Sequence, residues 1–232
     1  MKVLALITAK STSSRVAYKN KMPLYGKPLY RWTTDFVAQH GEFFTDCAFS
    51  TDKPRDYRLY EGMIPLFRPE YYLRDSTPHI ESVSHAHAEI EKFTGRRYDM
   101  TMLFQPTNPL RTTKMLYHAM GLAEFFLGKT DKPYFSRCVY EDKNLSKGYF
   151  HGCTWNETEV DRSPIVKSGA VYCYSREYLV NPKGGCTERR MFVPKQVGYN
   201  INDALDMRIV EAFMKEQGVP YGYTGERVTE QG

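Results

Sequence analysis

The chain has 232 residues, of which 41% are hydrophobic and 25% charged, with a formal net charge of +5. That length and apolar content predict one generous domain, or one domain carrying an inserted lobe. So mild a positive excess suits an anionic small substrate as well as nucleic acid and decides between neither. The five cysteines, Cys47, Cys138, Cys153, Cys173 and Cys186, are scattered and form no Cys-x-x-Cys pair. They argue against a disulfide framework and a zinc site, and for a reducing, cytoplasmic setting. The apolar run after Met1-Lys2 is too short for a signal peptide, and nothing in the sequence could span a bilayer.

Leu4-Ala5-Leu6-Ile7 is apolar without alternation, which predicts a strand buried on both faces of a parallel sheet. It breaks into a loop of small residues that carries Lys10, Arg15 and Lys19. Such a loop lies at the carboxyl end of the sheet, where open α/β folds bind their ligands. Free backbone N–H groups, hydroxyls and three cations together can hold a polyphosphate. The loop is not a Walker A sequence, because the paired glycines and the Gly-Lys-Ser/Thr ending are missing.

Pro28 opens a helix in which Leu29, Trp32, Phe36 and Val37 repeat at helical spacing. Cys47 to Ser50 predicts a second strand, and Ile64 to Phe67 another, placed at an edge by Pro65. Ile80, Val83, His87 and Ile90 mark a helix that stops near Gly95. Met100 to Phe104 predicts a strand, and Met115 to Phe126 a further amphipathic helix before Gly128. Tyr134 to Tyr140 and Ala170 to Tyr174 read as strands. The last helix, with Met207, Val210, Phe213 and Met214, is capped by Asn202 or Asp203. This alternation predicts a doubly wound, mainly parallel α/β sheet. Residues 141–167 lack periodicity and are expected to form an inserted lobe or a subunit contact.

His79, His85 and His87 could suggest a metal site. A separation of two residues, however, puts His85 and His87 about 200° apart around a helix. The expected arrangement is His87 partly buried and His85 exposed.

The opening continues through Lys19-Asn20-Lys21-Met22-Pro23-Leu24-Tyr25-Gly26-Lys27-Pro28-Leu29. It resembles the start of the acylneuraminate cytidylyltransferases, the CMP-sialic acid synthetase family. Their first strand leads into Ala-Arg-x-x-Ser, Lys-Asn and Leu-x-Gly-Lys-Pro-Leu. Lys10 stands at the usual Arg of that pattern. Four further blocks follow in the family's order. They are Arg68-Pro69 with Asp75, Leu103 to Arg111 with Asn108 at a family Ser, Ser168-Gly169-Ala170-Val171-Tyr172 with Ser168 at a family Asn, and Tyr199 to Asp206. Ser50-Thr51-Asp52 also matches the end of the family's second strand.

The resemblance implies a nucleotide-diphospho-sugar transferase-like fold, Rossmann-like in its layering. It also implies transfer of CMP from CTP to an acidic 2-keto sugar, with release of pyrophosphate. Lys10 and Lys19 would be the catalytic cations facing the phosphates, with Ala9, Ser13, Ser14 and Arg15 around them. Asn20, Arg68 and Gln105 would contact the nucleoside, and Thr77 and His79 the base. Gln105, Thr107, Ser168 and Gly169 would face the sugar. Two metal-binding aspartates of the family are Asn200 and Asn202 here. The implied Mg²⁺ site is therefore weak or filled by the nucleotide, with Asn200, Asn202 and Asp206 as its protein contacts. By the same resemblance the protein is a homodimer, with CTP and an acidic sugar as partners and no nucleic acid or membrane.

Two other readings stay open. One is a GT-A type glycosyltransferase, which the lack of a mid-chain Asp-x-Asp counts against. The other is a non-catalytic relative that binds nucleotide or a partner, to which the departures at Lys10, Ser168, Asn200 and Asn202 point.

Overall fold

Strand β1 (Val3–Thr8) is an interior strand, third from one edge, of a seven-stranded sheet in a computed structural model of the protein. The structure describes residues 1–11, 18–129, 132–142 and 165–221. On one side β1 pairs in parallel with β4 (Asp46–Thr51), and β5 (Met63–Phe67) lies beyond it at the edge. Pro65 sits in that edge strand, where a missing N–H costs least. On the other side β1 pairs in parallel with β6 (Met100–Phe104). Next come β8 (Ile165–Ser175), β7 (Tyr134–Glu141) and β9 (Thr187–Phe192), so the order is β5-β4-β1-β6-β8-β7-β9. Only β8 runs against the rest, antiparallel to both β6 and β7.

Both faces of the sheet are covered, as the apolar run of β1 requires. Ala5 and Ile7 point into one core with α1 (Leu29–Gln39) and α3 (Thr113–Phe126). Leu4 and Leu6 point into another with α2 (His79–Thr94) and the short α4 (Arg176–Val180). All four β1 side chains are fully buried, and each large one contributes about 1.5–3 kcal/mol by leaving water. A third cluster packs α6 (Ala204–Glu216) against Leu24, Leu29 and Trp32. The hairpin of β2 (Pro23–Leu24) and β3 (Lys27–Pro28) turns at Tyr25 and Gly26, both at positive φ. That is the tight-turn geometry in which glycine is favoured, and it accounts for the glycine of Gly-Lys-Pro. Lys27 of the same motif makes a buried ion pair with Asp35 and lies over the Trp32 ring, so the motif's tail is structural.

Some expectations change. The strand expected at 170–174 is eleven residues long, and β9 and the small α5 (Lys195–Gly198) join the second half. β9 escapes periodicity because it lies at the sheet edge, with Arg189, Arg190 and Phe192 exposed and only Met191 buried. His85 is half-buried rather than exposed, its ring 4.2 Å from that of Tyr72, and His87 is fully buried against Thr101. Of the expected lobe at 141–167, residues 143–164 lie outside the described residues. Among the described residues no helix is long and apolar enough to cross a membrane, and the four described cysteines are free.

Candidate active site

The chain leaves β1 for β4 on one side and later crosses to β6 on the other. A doubly wound sheet binds ligand where its strand order reverses, outside the carboxyl ends. A cleft of about 320 Å³ opens at that place, between the ends of β1 and β6. A larger cavity of about 670 Å³ lies at the opposite, amino ends, beside Met1, Asp99, Glu124 and Glu177 with Lys132. Three carboxylates against one lysine do not suit a polyphosphate, so the smaller cleft is the candidate site.

The β1 loop is anchored from below. Ala9 is buried and its N–H bonds to Ser50 O at 3.0 Å, so it underlies the cleft without lining it. The Asp52 carboxylate accepts from Ser11 N at 2.7 Å and from the Ser11 hydroxyl. Burial would raise the Asp52 pKa, but these two bonds, with Arg68 nearby, bring it below the usual carboxylate value. Asn20 closes the loop by donating to Lys10 O at 3.0 Å. Ser13, Ser14 and Arg15 lie outside the described residues.

Lys10 and Lys19 both line the cleft, on opposite tethers. Lys10 Nζ donates to Asp75 at 2.6 Å and to Leu73 O at 3.3 Å. Lys19 Nζ donates to Ile201 O at 2.9 Å. Arg68 is buried, giving its Nη2 to Ser50 O at 2.9 Å and its Nε to the Ser50 hydroxyl. Desolvation lowers its pKa to about 10, which leaves it charged at neutral pH. Thr77 and His79 complete this wall at the start of α2. His79 is ringed by protein yet open to solvent through the cleft mouth. That desolvation and the Arg68 charge hold its pKa down to about 4, so it is a neutral imidazole at pH 7.

The facing wall is built by the β6 loop. Gln105, Thr107 and Asn200 line it. Gly169 lies behind Gln105, where an added Cβ would stand 1.9 Å from Gln105 Oε1. Ser168 is fully buried and accepts from Ala170 N at 3.1 Å. Neither Ser168 nor Gly169, both expected to face a sugar, lines the cleft: Ser168 also receives the Asn108 amide, and Gly169 O accepts from Gln105 N at 3.2 Å. Arg111, which the motif reading left without a role, is buried with no carboxylate beside it among the described residues. It donates to the carbonyls of Gln105, Ala170 and Gly169 and to Thr33, and its desolvation lowers its pKa to about 9. It fastens the end of β6 to β8 and to α1.

The metal expectation fits the residues poorly. Asp206 is spent: it accepts from Tyr199 Oη at 2.8 Å and from the N–H groups of Asn202 and Asp203. With Asp203 it forms the capping box that starts α6, so the acid completes a helix end. The Asn202 side chain is turned back to Asn200 O at 3.2 Å. Asn200 Oδ1 is buried without a hydrogen-bond partner among the described residues, which leaves one neutral oxygen donor at the cleft. Among the described residues no group of three or more His, Cys, Asp or Glu could hold a metal ion. These residues do not build a divalent-cation site.

Comparison with known proteins agrees with this architecture. The chain is 24% identical to an N-acylneuraminate cytidylyltransferase of Escherichia coli O18:K1:H7 over 223 residues, covering 90% of this chain and 51% of that protein. It is 26% identical over 202 residues to the CMP-N,N'-diacetyllegionaminic acid synthase of Legionella pneumophila, covering 81% and 84%. In sequence the chain is thus similar to two enzymes named as synthases of CMP-linked acidic sugars. It spans about half the length of the E. coli relative. No family model matches. A solved CMP:2-keto-3-deoxy-manno-octonic acid synthetase, complexed with CTP, superposes with a TM-score of 0.70 at 14% identity, over 94% of this chain and all of that one. That likeness shows a shared fold.

Proposed function

We propose that the protein transfers CMP from CTP to the hydroxyl of an acidic 2-keto sugar, releasing pyrophosphate. The observation that carries this is the convergence of Lys10, Lys19 and Arg68 with the Gln105 amide in one cleft at the strand-order reversal. The names of the two curated relatives support the choice of CTP and of an acidic sugar.

Nucleotidyl transfer asks for in-line positioning and for neutralisation of negative charge, with little covalent work by the protein. Lys10 and Lys19 supply compact charges from either side of the cleft. A carboxamide such as Gln105 both donates and accepts, as a ribose or sugar hydroxyl requires. Neutral His79 adds a donor and an acceptor to the wall carrying Arg68 without further positive charge. No step of this reading runs through a metal held by protein carboxylates. In keeping with it, the protein is read as cytoplasmic and, by its family resemblance, as a homodimer.

A nucleotide-binding relative without transfer activity is the second reading. It is favoured by Asn200 and Asn202 and by the Lys10–Asp75 ion pair, which a nucleotide phosphate would have to displace. Pyrophosphate release in the presence of both substrates separates the two.

A further inference from the structure

We propose that Arg74 is the oxyanion clamp of the cleft, its guanidinium taking two oxygens of the nucleotide's triphosphate. The proposal rests on the reading of this cleft as a nucleotide site. It starts from how the four cleft cations are employed. Lys10 is tied to Asp75 and Leu73, Lys19 to Ile201 and Arg68 to Ser50. Arg74 also lines the cleft and is exposed, and its guanidinium meets only the Tyr71 ring, 5.7 Å away, among the described residues.

The backbone at Arg74 is held from several directions. Lys10 Nζ grips the carbonyl of the residue before it and the carboxylate of the residue after it. Arg74 O accepts from Thr77 N at 3.1 Å, and the Thr77 hydroxyl bonds Tyr71 O at 2.6 Å. The Tyr71 ring is steadied in turn by a bond from its hydroxyl to Glu81 at 3.0 Å. The guanidinium therefore rests over a fixed ring on a braced segment, which lowers the entropy lost when it binds.

The chemistry matches what the β1 loop lacks. A lysine offers a point charge, whereas a guanidinium grips two oxygens of a phosphate at once. Lys10 stands where the resembling pattern has an arginine, and its ammonium is occupied in bracing the segment that carries Arg74. The fork has moved from the loop to the facing segment. Besides the charge it brings to the cleft, Lys10 also positions that fork.

Calorimetric titration of the whole protein with inorganic tripolyphosphate, CTP and cytidine tests this directly. Arg74→Ala should weaken tripolyphosphate and CTP by roughly ten- to a hundredfold and leave cytidine unchanged. Arg74→Lys should recover only a small part, and the thermal midpoint should not move. Unchanged tripolyphosphate and CTP binding in Arg74→Ala, or an equal loss for cytidine, would overturn the proposal. So would a loss confined to the sugar acid, which would make the anion a carboxylate. Tripolyphosphate carries no base, so a wild type that binds it but not cytidine nucleotides would defeat the cytidylyl reading and still leave Arg74 tested.

Discussion

The Asn108 amide nitrogen lies 3.4 Å from the Ser168 hydroxyl oxygen, so two residues that interchange a family serine and asparagine touch one another. Each departure looks like a loss when read singly. In space they keep one amide and one hydroxyl in one buried place, joining the β6 loop to β8. The stronger bonds of Asn108 go to Gly198 O at 3.0 Å and Tyr199 O at 2.9 Å, which hold the turn leading to Asn200.

These distances rank the variants. Asn108→Ala would leave two backbone carbonyls without that donor, at about 1–3 kcal/mol for each one buried. Ser168→Ala removes a longer bond and should cost no more than about 1 kcal/mol. The exchange Asn108→Ser with Ser168→Asn should restore most of the stability lost by Asn108→Ser alone. Urea denaturation of the four proteins measures this. Strict additivity of the two single effects would mean that the pair does not interact.

Gly169→Ala tests the seating of Gln105. The new Cβ would fall 1.9 Å from Gln105 Oε1 and 2.5 Å from Asn108 Oδ1. A glutamine side chain can swing away, so the fold should survive at about 1–3 kcal/mol while Gln105 leaves its place. The KM of whichever substrate Gln105 contacts should then rise several-fold. Unaltered kinetics for both substrates would remove Gln105 from the binding surface.

His79 gives a pH signature. An unfolded imidazole titrates near 6.5, whereas the folded one is held to about 4 by desolvation first and by Arg68 second. Between those values the unfolded chain binds more protons, so acidification favours unfolding. The stability attached to His79 is whole above pH 6.5, falls as the pH drops towards 4, and changes no further below. An NMR titration of its ring protons should therefore find the midpoint near 4. A midpoint near 6.5 would show the ring to be freely hydrated, outside the cleft wall.

Lys19 bridges the β1 loop and the turn at Ile201, and in the proposed reaction it faces the phosphates. Lys19→Ala should lower kcat about a hundred- to a thousandfold, the usual cost of one well-placed electrostatic donor. Near-normal turnover would leave the lysine a mere tether between two loops.

The parallel half of the fold was legible in the sequence because its strands are buried on both faces and its helices keep an apolar stripe. That Lys19, Asn20, Arg68 and Gln105 line one cleft was legible because each lies in a motif that follows a strand, Arg68 and Gln105 directly at its end. The reversal of β8 was not, since a strand's direction leaves no mark on its own residues. The places of Ser168, buried, and Asp206, in the cap of α6, were not legible for another reason. A polar residue within a functional motif carries the same letter whether it faces ligand or supports the residue that does. Arg74 was missed because a single arginine between Leu73 and Asp75 has no pattern, and only the hold of Lys10 on both neighbours sets it apart.

The central claim is most directly tested by pyrophosphate release, with each of the four nucleoside triphosphates combined in turn with acidic 2-keto sugars and their neutral analogues. Release should require CTP and an acidic sugar together, and should fall away when either is replaced. Release that is indifferent to the base, or tight CTP binding with no release for any acidic sugar, would contradict the assignment as a cytidylyltransferase.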